Sequence, residues 1–487
     1  MVAIAAAQSR LPADGFVVFA KEECPTCQLV APVLRALARA ESKVVVYSQD
    51  DPAFPADLDV IDDTALEQSF RMDVETVPTL VRVKDGREVT RTVGWDRAEW
   101  ERVTGLRGLG EGLPGFQPGC GSKSRDPGVY ENLVARFGNP GLGARKITLG
   151  EWDDEAEACF DRGWTDGLPV VAPTDARILR MLGGTSRKPD EIVGLIPPNL
   201  APCTIEKVAI NAVMAGCKPE YIPVVLAALE AALEPIFTMH GLLCTTCFSG
   251  PVIVVNGPFA RAIGMNWGIN ALGQGNRANL TIGRALQLII RNVGGGRPGE
   301  IDRATLGWPG KISCCFAEDE TDPFWQPLAV ARGIAPGKSA VTLFQGYGVQ
   351  ACMDQRSRTP EELTRSLALS LSAVAHPKLY DATAAMLILS PEHYAIFRTA
   401  GWDRARIEDE LHKASTRPGK DLIVGAQGIG EGIAAKRADE MVSKFWRGGL
   451  LIVRAGGPAG LWSGIITGWA GTRVRDQTQP VTREIRP

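Results

Sequence analysis

Gly15-Phe16-Val17-Val18-Phe19-Ala20-Lys21-Glu22-Glu23-Cys24-Pro25-Thr26-Cys27 is the stretch whose reading decides the fold of the first domain. Phe16 to Phe19 is an apolar, β-branched run suited to a buried strand, and Lys21-Glu22-Glu23 ends it with a charged turn. A helical pattern follows from Cys24 to Ala40. Cys24 therefore heads a helix, where unpaired backbone N–H groups and the helix dipole stabilise a thiolate. Cys27, one turn later, reaches back to close a disulfide. Cys24 is expected to be the exposed nucleophile and Cys27 the buried resolving thiol.

Outward from this motif, Val44 to Ser48 reads as a strand and Thr64 to Phe70 as a helix. Pro78-Thr79-Leu80-Val81-Arg82-Val83 leads through Asp85-Gly86 into a second strand, Arg87 to Val93, and a helix from Asp96 to Val103. The alternation argues α/β, and Asp-Gly between two alternating runs is a strong hairpin signal. This order of elements resembles the thioredoxin fold of the thioredoxin/glutaredoxin superfamily, over residues 1–105. The resemblance implies that Pro78, after Val77, is the cis-proline that packs against the dithiol and shapes the substrate groove. Two departures stand out: Glu23 where thioredoxins usually have Trp, and Pro-Thr between the cysteines rather than Gly-Pro. An acidic neighbour disfavours the Cys24 thiolate, and Lys21 is the available compensation.

From Gly105 to Gly128 there are eight glycines and three prolines with little periodicity, so residues 106–145 are expected to form a linker. Within it, Gly119-Cys120-Gly121-Ser122-Lys123-Ser124 carries a single thiol. Cys120 is either a mobile relay or an inert linker residue. Beyond it, helical patterns (Thr204 to Ala215, Glu220 to Leu233, Ala278 to Asn292) alternate with short buried strands (Val252 to Val255, Met386 to Ser390, Leu450 to Arg454). This larger α/β part is expected to comprise a catalytic-type region, 146–350, and a C-terminal lobe, 351–487, parted near Tyr347 to Pro360. Thr204 to Ala231, Val254 to Pro258 and Gln274 to Gly295 resemble an uncharacterised bacterial family associated with small selenoproteins carrying a Sec-Gly-Ser-Cys motif. That resemblance implies thiol or selenol redox chemistry and no particular substrate.

The larger part carries a second CxxC, Cys244-Thr245-Thr246-Cys247, with His240 four residues ahead as a candidate base. Redox chemistry, burial in the core and metal binding compete for this pair. Cys314-Cys315 is the rival second site or relay, with packing as its plainer reading, and Cys159, Cys203, Cys217 and Cys352 read as packing residues. Asn276 and Arg277, entering a helix that also carries Arg284, form a candidate anion or substrate site, although tight turns before helices use the same residues. The glycine-rich runs at 294–296, 425–430 and 456–460 do not complete a nucleotide-binding signature. The acidic run Glu318, Asp319, Glu320 and Asp322 reads as a solvated turn.

Across all 487 residues, 45% are apolar and 22% charged, with a formal charge of -3. That balance gives no basic field for nucleic acid or anionic membranes. Val2 to Ala7 lacks the basic flank and long apolar core of a secretory signal, and Ile222 to Leu233 is too short to span a bilayer and carries Glu230. A cytoplasmic protein is expected, its eleven cysteines kept as thiols rather than paired in a framework. Only four histidines are present, no residue is assigned as a metal ligand, and no cofactor is firmly implied, that of the larger part being left open. The resulting reading is a thiol–disulfide redox enzyme whose Cys24/Cys27 module takes electrons from a cellular dithiol reductant or reductase. It passes them to cysteines of the larger part, which reduces or reductively cleaves a small-molecule substrate, with a small redox protein as a further partner. Two alternatives are capture of a soft metal or organometal by Cys244, Cys247, Cys314 and Cys315, and a thiol-independent lyase or hydrolase with a docking thioredoxin-like domain.

Overall fold

In the computed structural model, residues 11–40, 43–150, 152–469 and 478–486 are described, and the Val2–Ala7 patch lies outside them. The chain divides into two units, the first reaching Gly141 and including Thr174–Arg180, the second comprising Leu142–Pro173 and the residues from Met181 onward.

The first unit begins with β1 (Gly15–Ala20), α1 (Pro25–Arg39), β2 (Val44–Ser48), β3 (Val60–Asp62) and α2 (Glu67–Arg71). It continues with β4 (Thr76–Val77), β5 (Thr79–Lys84), β6 (Arg87–Val93), β7 (Trp95–Asp96) and α3 (Arg97–Thr104). Its sheet has the order β3-β2-β1-β5-β6, with β1, β2 and β3 parallel and β5 and β6 antiparallel. Every residue of β1 and β2 is buried, which is why these strands read as unbroken apolar runs rather than alternating ones. Asp85 and Gly86 both have positive φ, 52° and 71°, as a two-residue hairpin turn requires. The Val77–Pro78 bond is cis.

The expected linker is not a linker. It folds onto the first unit as β8 (Phe116–Gln117), which pairs with β7, and β9 (Cys120–Gly121), which pairs with β4. The indole of Trp95, fully buried, donates to the Pro114 carbonyl at 2.6 Å, and Arg97 donates to the carbonyls of Gly110 and Leu113. At Gly119 the glycine serves close approach, because a Cβ there would lie 2.4 Å from Thr76 Cγ2 and 2.7 Å from the Val77 carbonyl oxygen. After it, α4 (Val129–Phe137) packs Leu133 against Leu66 and Phe70. The first unit thus extends well beyond the expected boundary at residue 105.

The second unit is built around a seven-stranded mixed sheet. Its elements include α5 (Ile205–Ala215), α6 (Ile222–Ala232), β10 (Gly250–Asn256), α7 (Arg277–Asn292), β11 (Cys315–Ala317) and β12 (Ala340–Met353). β13 (Thr383–Leu389), β14 (Phe445–Arg454), β15 (Trp462–Gly468) and β16 (Val481–Glu484) complete the sheet. The order is β11-β10-β12-β15-β13-β14, with β16 beside the first half of β12. This corrects the expected division into lobes at 347–360: β12 runs through that boundary, pairing with β10 before it and β15 after it. The strand carries a register shift between Tyr347 and Gln350, with φ 61° at Gly348. Thr204 caps α5, Gly216 ends it at φ 90°, and both α5 and α6 are almost wholly buried. No single helix among the described residues is long and apolar enough to cross a membrane.

Candidate active site: a third thiol beside the dithiol

Cys24 is the N-cap of α1, and its sulfur accepts from the Cys27 backbone N–H at 3.4 Å. Both cysteines are fully buried and free. Hydrogen bonding from the Cys27 thiol lowers the Cys24 pKa to about 5; burial opposes this, and contacts with Cys120 and backbone N–H groups add to it. Burial pushes the Cys27 thiol far up. The two thiols are thus pushed in opposite directions, Cys24 down and Cys27 up, and Cys24, expected to be exposed, is buried.

The cover is Cys120. Its sulfur lies 2.8 Å from Cys24 Sγ, within reach of direct thiol exchange, and Cys24 Sγ also lies 3.6 Å from the Val77 carbonyl oxygen. Pairing of β9 with β4 sets this approach, with Val77 opposite Cys120 and Thr76 opposite Gly121, so the segment lies along the strand that ends at Pro78. Side chains lock it on either side. Thr26 Oγ1 donates to the Pro118 carbonyl at 2.6 Å, and the Gln49 amide donates to Ser122 Oγ at 2.7 Å while accepting from the Lys123 backbone N–H at 3.0 Å. Ser122 and Ser124 are buried, and Ser124 Oγ donates to the Val74 carbonyl. Thr26, Gln49 and Ser122 escape a reading of the sequence; the one available signal is the pair of glycines around Cys120.

Glu23 does not oppose the thiolate as expected. Its carboxylate pairs with Lys21 at 3.1 Å and Lys123 at 3.5 Å, and these contacts, Lys21 first, hold it below its usual range. Burial lowers the Lys21 pKa, but Glu23 and the charges on Cys120 and Cys24 outweigh it and leave the ammonium more basic than usual. Cys120 itself is pushed up, by burial and then by the Cys24 thiolate. Iodoacetamide should accordingly alkylate Cys24 with a pH midpoint near 5. Cys27→Ala should move the midpoint upward, toward the ordinary thiol value of about 8.5. Rates followed by peptide mass mapping check this, and an unchanged midpoint in Cys27→Ala removes the assigned cause.

In the second unit, Cys244 is exposed and Cys247 half-buried. Cys244 is the last residue of a short helix, Met239–Cys244, at the end where the dipole disfavours a thiolate, unlike Cys24. His240 is exposed on that helix and makes no hydrogen bond among the described residues, so nothing couples it to Cys244 as a base. Cys314 is half-buried and Cys315 buried, and burial pushes both thiols up, Cys314 to about 12. Among the described residues no three Cys, His, Asp or Glu side chains converge as a metal site, so the four-thiol cluster of Cys244, Cys247, Cys314 and Cys315 on which the soft-metal alternative rests is not assembled.

The expected anion site is also corrected. Arg284 is bound at 2.8 and 2.7 Å to the two carboxylate oxygens of Asp166, Arg277 Nε donates to the Gly216 carbonyl, and Asn276 caps α7. These are holding contacts within the fold. The acidic run is not a solvated turn either: Glu318 and Asp319 are buried, Glu318 lying 3.6 Å from Arg404 and Asp319 2.8 Å from Arg454.

No family model matches the chain. An 84-residue stretch of its N-terminal part is 34% identical to thioredoxin of Chlamydia muridarum (strain MoPn / Nigg), covering 17% of this chain and 72% of that protein. The corresponding match to thioredoxin of Chlamydia trachomatis serovar D is 33% identical over 84 residues, with the same coverage. With the sheet order, the capped dithiol and the cis-proline also in place, the chain belongs, through this N-terminal domain, to the thioredoxin family.

Proposed function

We propose that this protein is a thiol–disulfide oxidoreductase whose dithiol serves its own Cys120 before any outside disulfide. The observation that carries this reading is the 2.8 Å approach of Cys120 Sγ to Cys24 Sγ in a segment held by strand pairing. When Cys120 carries a disulfide to a small thiol, the Cys24 thiolate attacks Cys120 Sγ and the small thiol leaves with the electron pair, taking a proton. Cys27, deprotonated as it attacks, then displaces Cys120 from Cys24. The products are a free Cys120 thiol and a Cys24–Cys27 disulfide, and a cellular dithiol reductant or reductase returns the two electrons. Holding the acceptor in the same chain replaces a bimolecular encounter by a local concentration on the order of millimolar or more.

Within the second unit, Cys244 and Cys247 are the thiols best placed to meet a small substrate, because Cys244 is exposed and Cys315 is not. We place the onward redox chemistry there. Mild oxidation of reduced Cys27→Ser should accumulate a Cys24–Cys120 disulfide, read by peptide mass mapping, because the resolving thiol is gone. A Cys24 that instead becomes linked only to added small thiols, with Cys120 free, sinks the reading.

A further inference from the structure

The second unit holds a cavity whose lining shares no residue with the dithiol. Three turns of α7 carry Arg284, Gln287 and Arg291 at helical spacing. Arg284 is held by Asp166, while Gln287 and Arg291 line a cavity of about 310 Å³. Its walls include Leu243, Pro251 and Ile290, and Ser249, Trp308 and Lys311 also line it. Lys311 is engaged, donating to both oxygens of Asp302 at 2.8 and 2.6 Å.

What remains is a set of donors without partners. Ser249 is 1% exposed and its Oγ is buried without a hydrogen bond among the described residues. Arg291 Nε and Trp308 Nε1 are likewise buried and unpartnered, as is Nε of the neighbouring Arg297. Buried polar groups are otherwise almost always satisfied, so three residues that line one cavity and each carry an unpartnered polar atom point to an acceptor that these side chains turn to meet when it binds there. Indole and guanidinium nitrogens donate only, which makes that acceptor an oxygen-rich, negatively charged group. Burial and the nearby Arg297 weaken the hold of Arg291 on its proton, so a matching anion would be favourable. The two wall carboxylates, Asp166 and Asp302, are already paired with Arg284 and Lys311, and Glu300 is exposed. One uncompensated guanidinium in the lining, with those carboxylates close by, suits a single negative charge rather than a dianion. The apolar walls suit a carbon body.

We propose that this cavity binds a small organic monocarboxylate, its charged end on Arg291, Ser249 and Trp308 and its apolar body against Leu243, Pro251 and Ile290. Met239, Leu242 and Leu243, from the helix that ends at Cys244, also line it, so such a ligand would lie next to the second CxxC.

Titration calorimetry of the full chain with benzoate tests this, with benzyl alcohol and inorganic phosphate as comparisons. Benzoate should bind, benzyl alcohol should not, and phosphate should bind at least about tenfold more weakly. Arg291→Gln should weaken benzoate by at least about tenfold. Trp308→Phe, which keeps the ring and loses the donor, should weaken it by about fivefold or more, and it carries the test if Arg291→Gln fails to fold. Arg277→Gln, outside the cavity, should leave binding unchanged. Absence of benzoate binding at millimolar concentration overturns the proposal, as does benzoate binding that Arg291→Gln and Trp308→Phe both leave intact. Phosphate binding as tight as benzoate overturns the assignment to a monocarboxylate.

Discussion

Alanine at Gly119 is expected to raise the rate at which the reduced protein cleaves an external disulfide peptide by about tenfold, and serine at Cys24 to abolish that reaction. A Cβ at Gly119 would meet Thr76 Cγ2 at 2.4 Å and the Val77 carbonyl oxygen at 2.7 Å, so the β4–β9 pairing must open. Overpacking of this kind costs about 1–3 kcal/mol, and 1.4 kcal/mol is a factor of ten in the ratio of undocked to docked segment. A groove occupied by its own segment binds an outside disulfide only in the undocked fraction, so apparent reactivity rises in proportion as that fraction grows. The same substitution should lower the yield of the Cys24–Cys120 disulfide in a Cys27→Ser background. Peptide cleavage followed by chromatography reads the first effect and mass mapping the second. If Gly119→Ala slows external cleavage while leaving the Cys24–Cys120 crosslink intact, the segment is not a competitor for the groove.

The first unit was legible in the sequence where its signals are local. Cys24 at a helix start, Asp85-Gly86 in a hairpin and Pro78 before a strand are each decided within a few residues, and each stands where expected. The glycine-rich stretch was not legible, because glycine reads alike whether it loosens a tether or lets two backbones approach closely. Only the Thr76 side chain and the Val77 carbonyl beside Gly119 distinguish the two. For the same reason β12, the strand that ties the two expected lobes into one sheet, is masked by Gly346 and Gly348. Charged residues mislead differently. Glu318, in what reads as a solvated acidic run, is buried because Arg404 and Asn256 meet it from segments that sequence proximity does not connect, with Trp325 closing over it seven residues on.

On α7 the periodicity of the helix is plain, but which of its arginines is free is not. That depends on Asp166, 118 residues before Arg284. Arg284 and Asp166 are 14% and 12% exposed in their side chains, so the pair is largely shielded from water. Burial is the largest influence on the Asp166 carboxyl and raises its pKa, yet the hydrogen bonds and charge of Arg284 outweigh it and hold the group below the usual carboxylate range. With a folded pKa below the unfolded value of about 3.9, the pair's contribution to stability is complete above that value and is lost as pH falls through the folded pKa. Arg284→Ala removes the favourable part and leaves burial, so the Asp166 pKa rises above its unfolded value. The variant then carries a penalised carboxylate at neutral pH and is relieved of it as the pH drops and the group takes up a proton. Arg284→Ala should therefore destabilise the second unit by about 3 kcal/mol at neutral pH, with the deficit shrinking toward pH 4.5. Arg284→Lys, which keeps the charge but loses the two-pronged contact, should fall between. Urea midpoints at the two pH values measure this, and a deficit equal at both would mean that the ion pair is not what Arg284 contributes. A residue that served only to bind substrate would show no deficit at either pH.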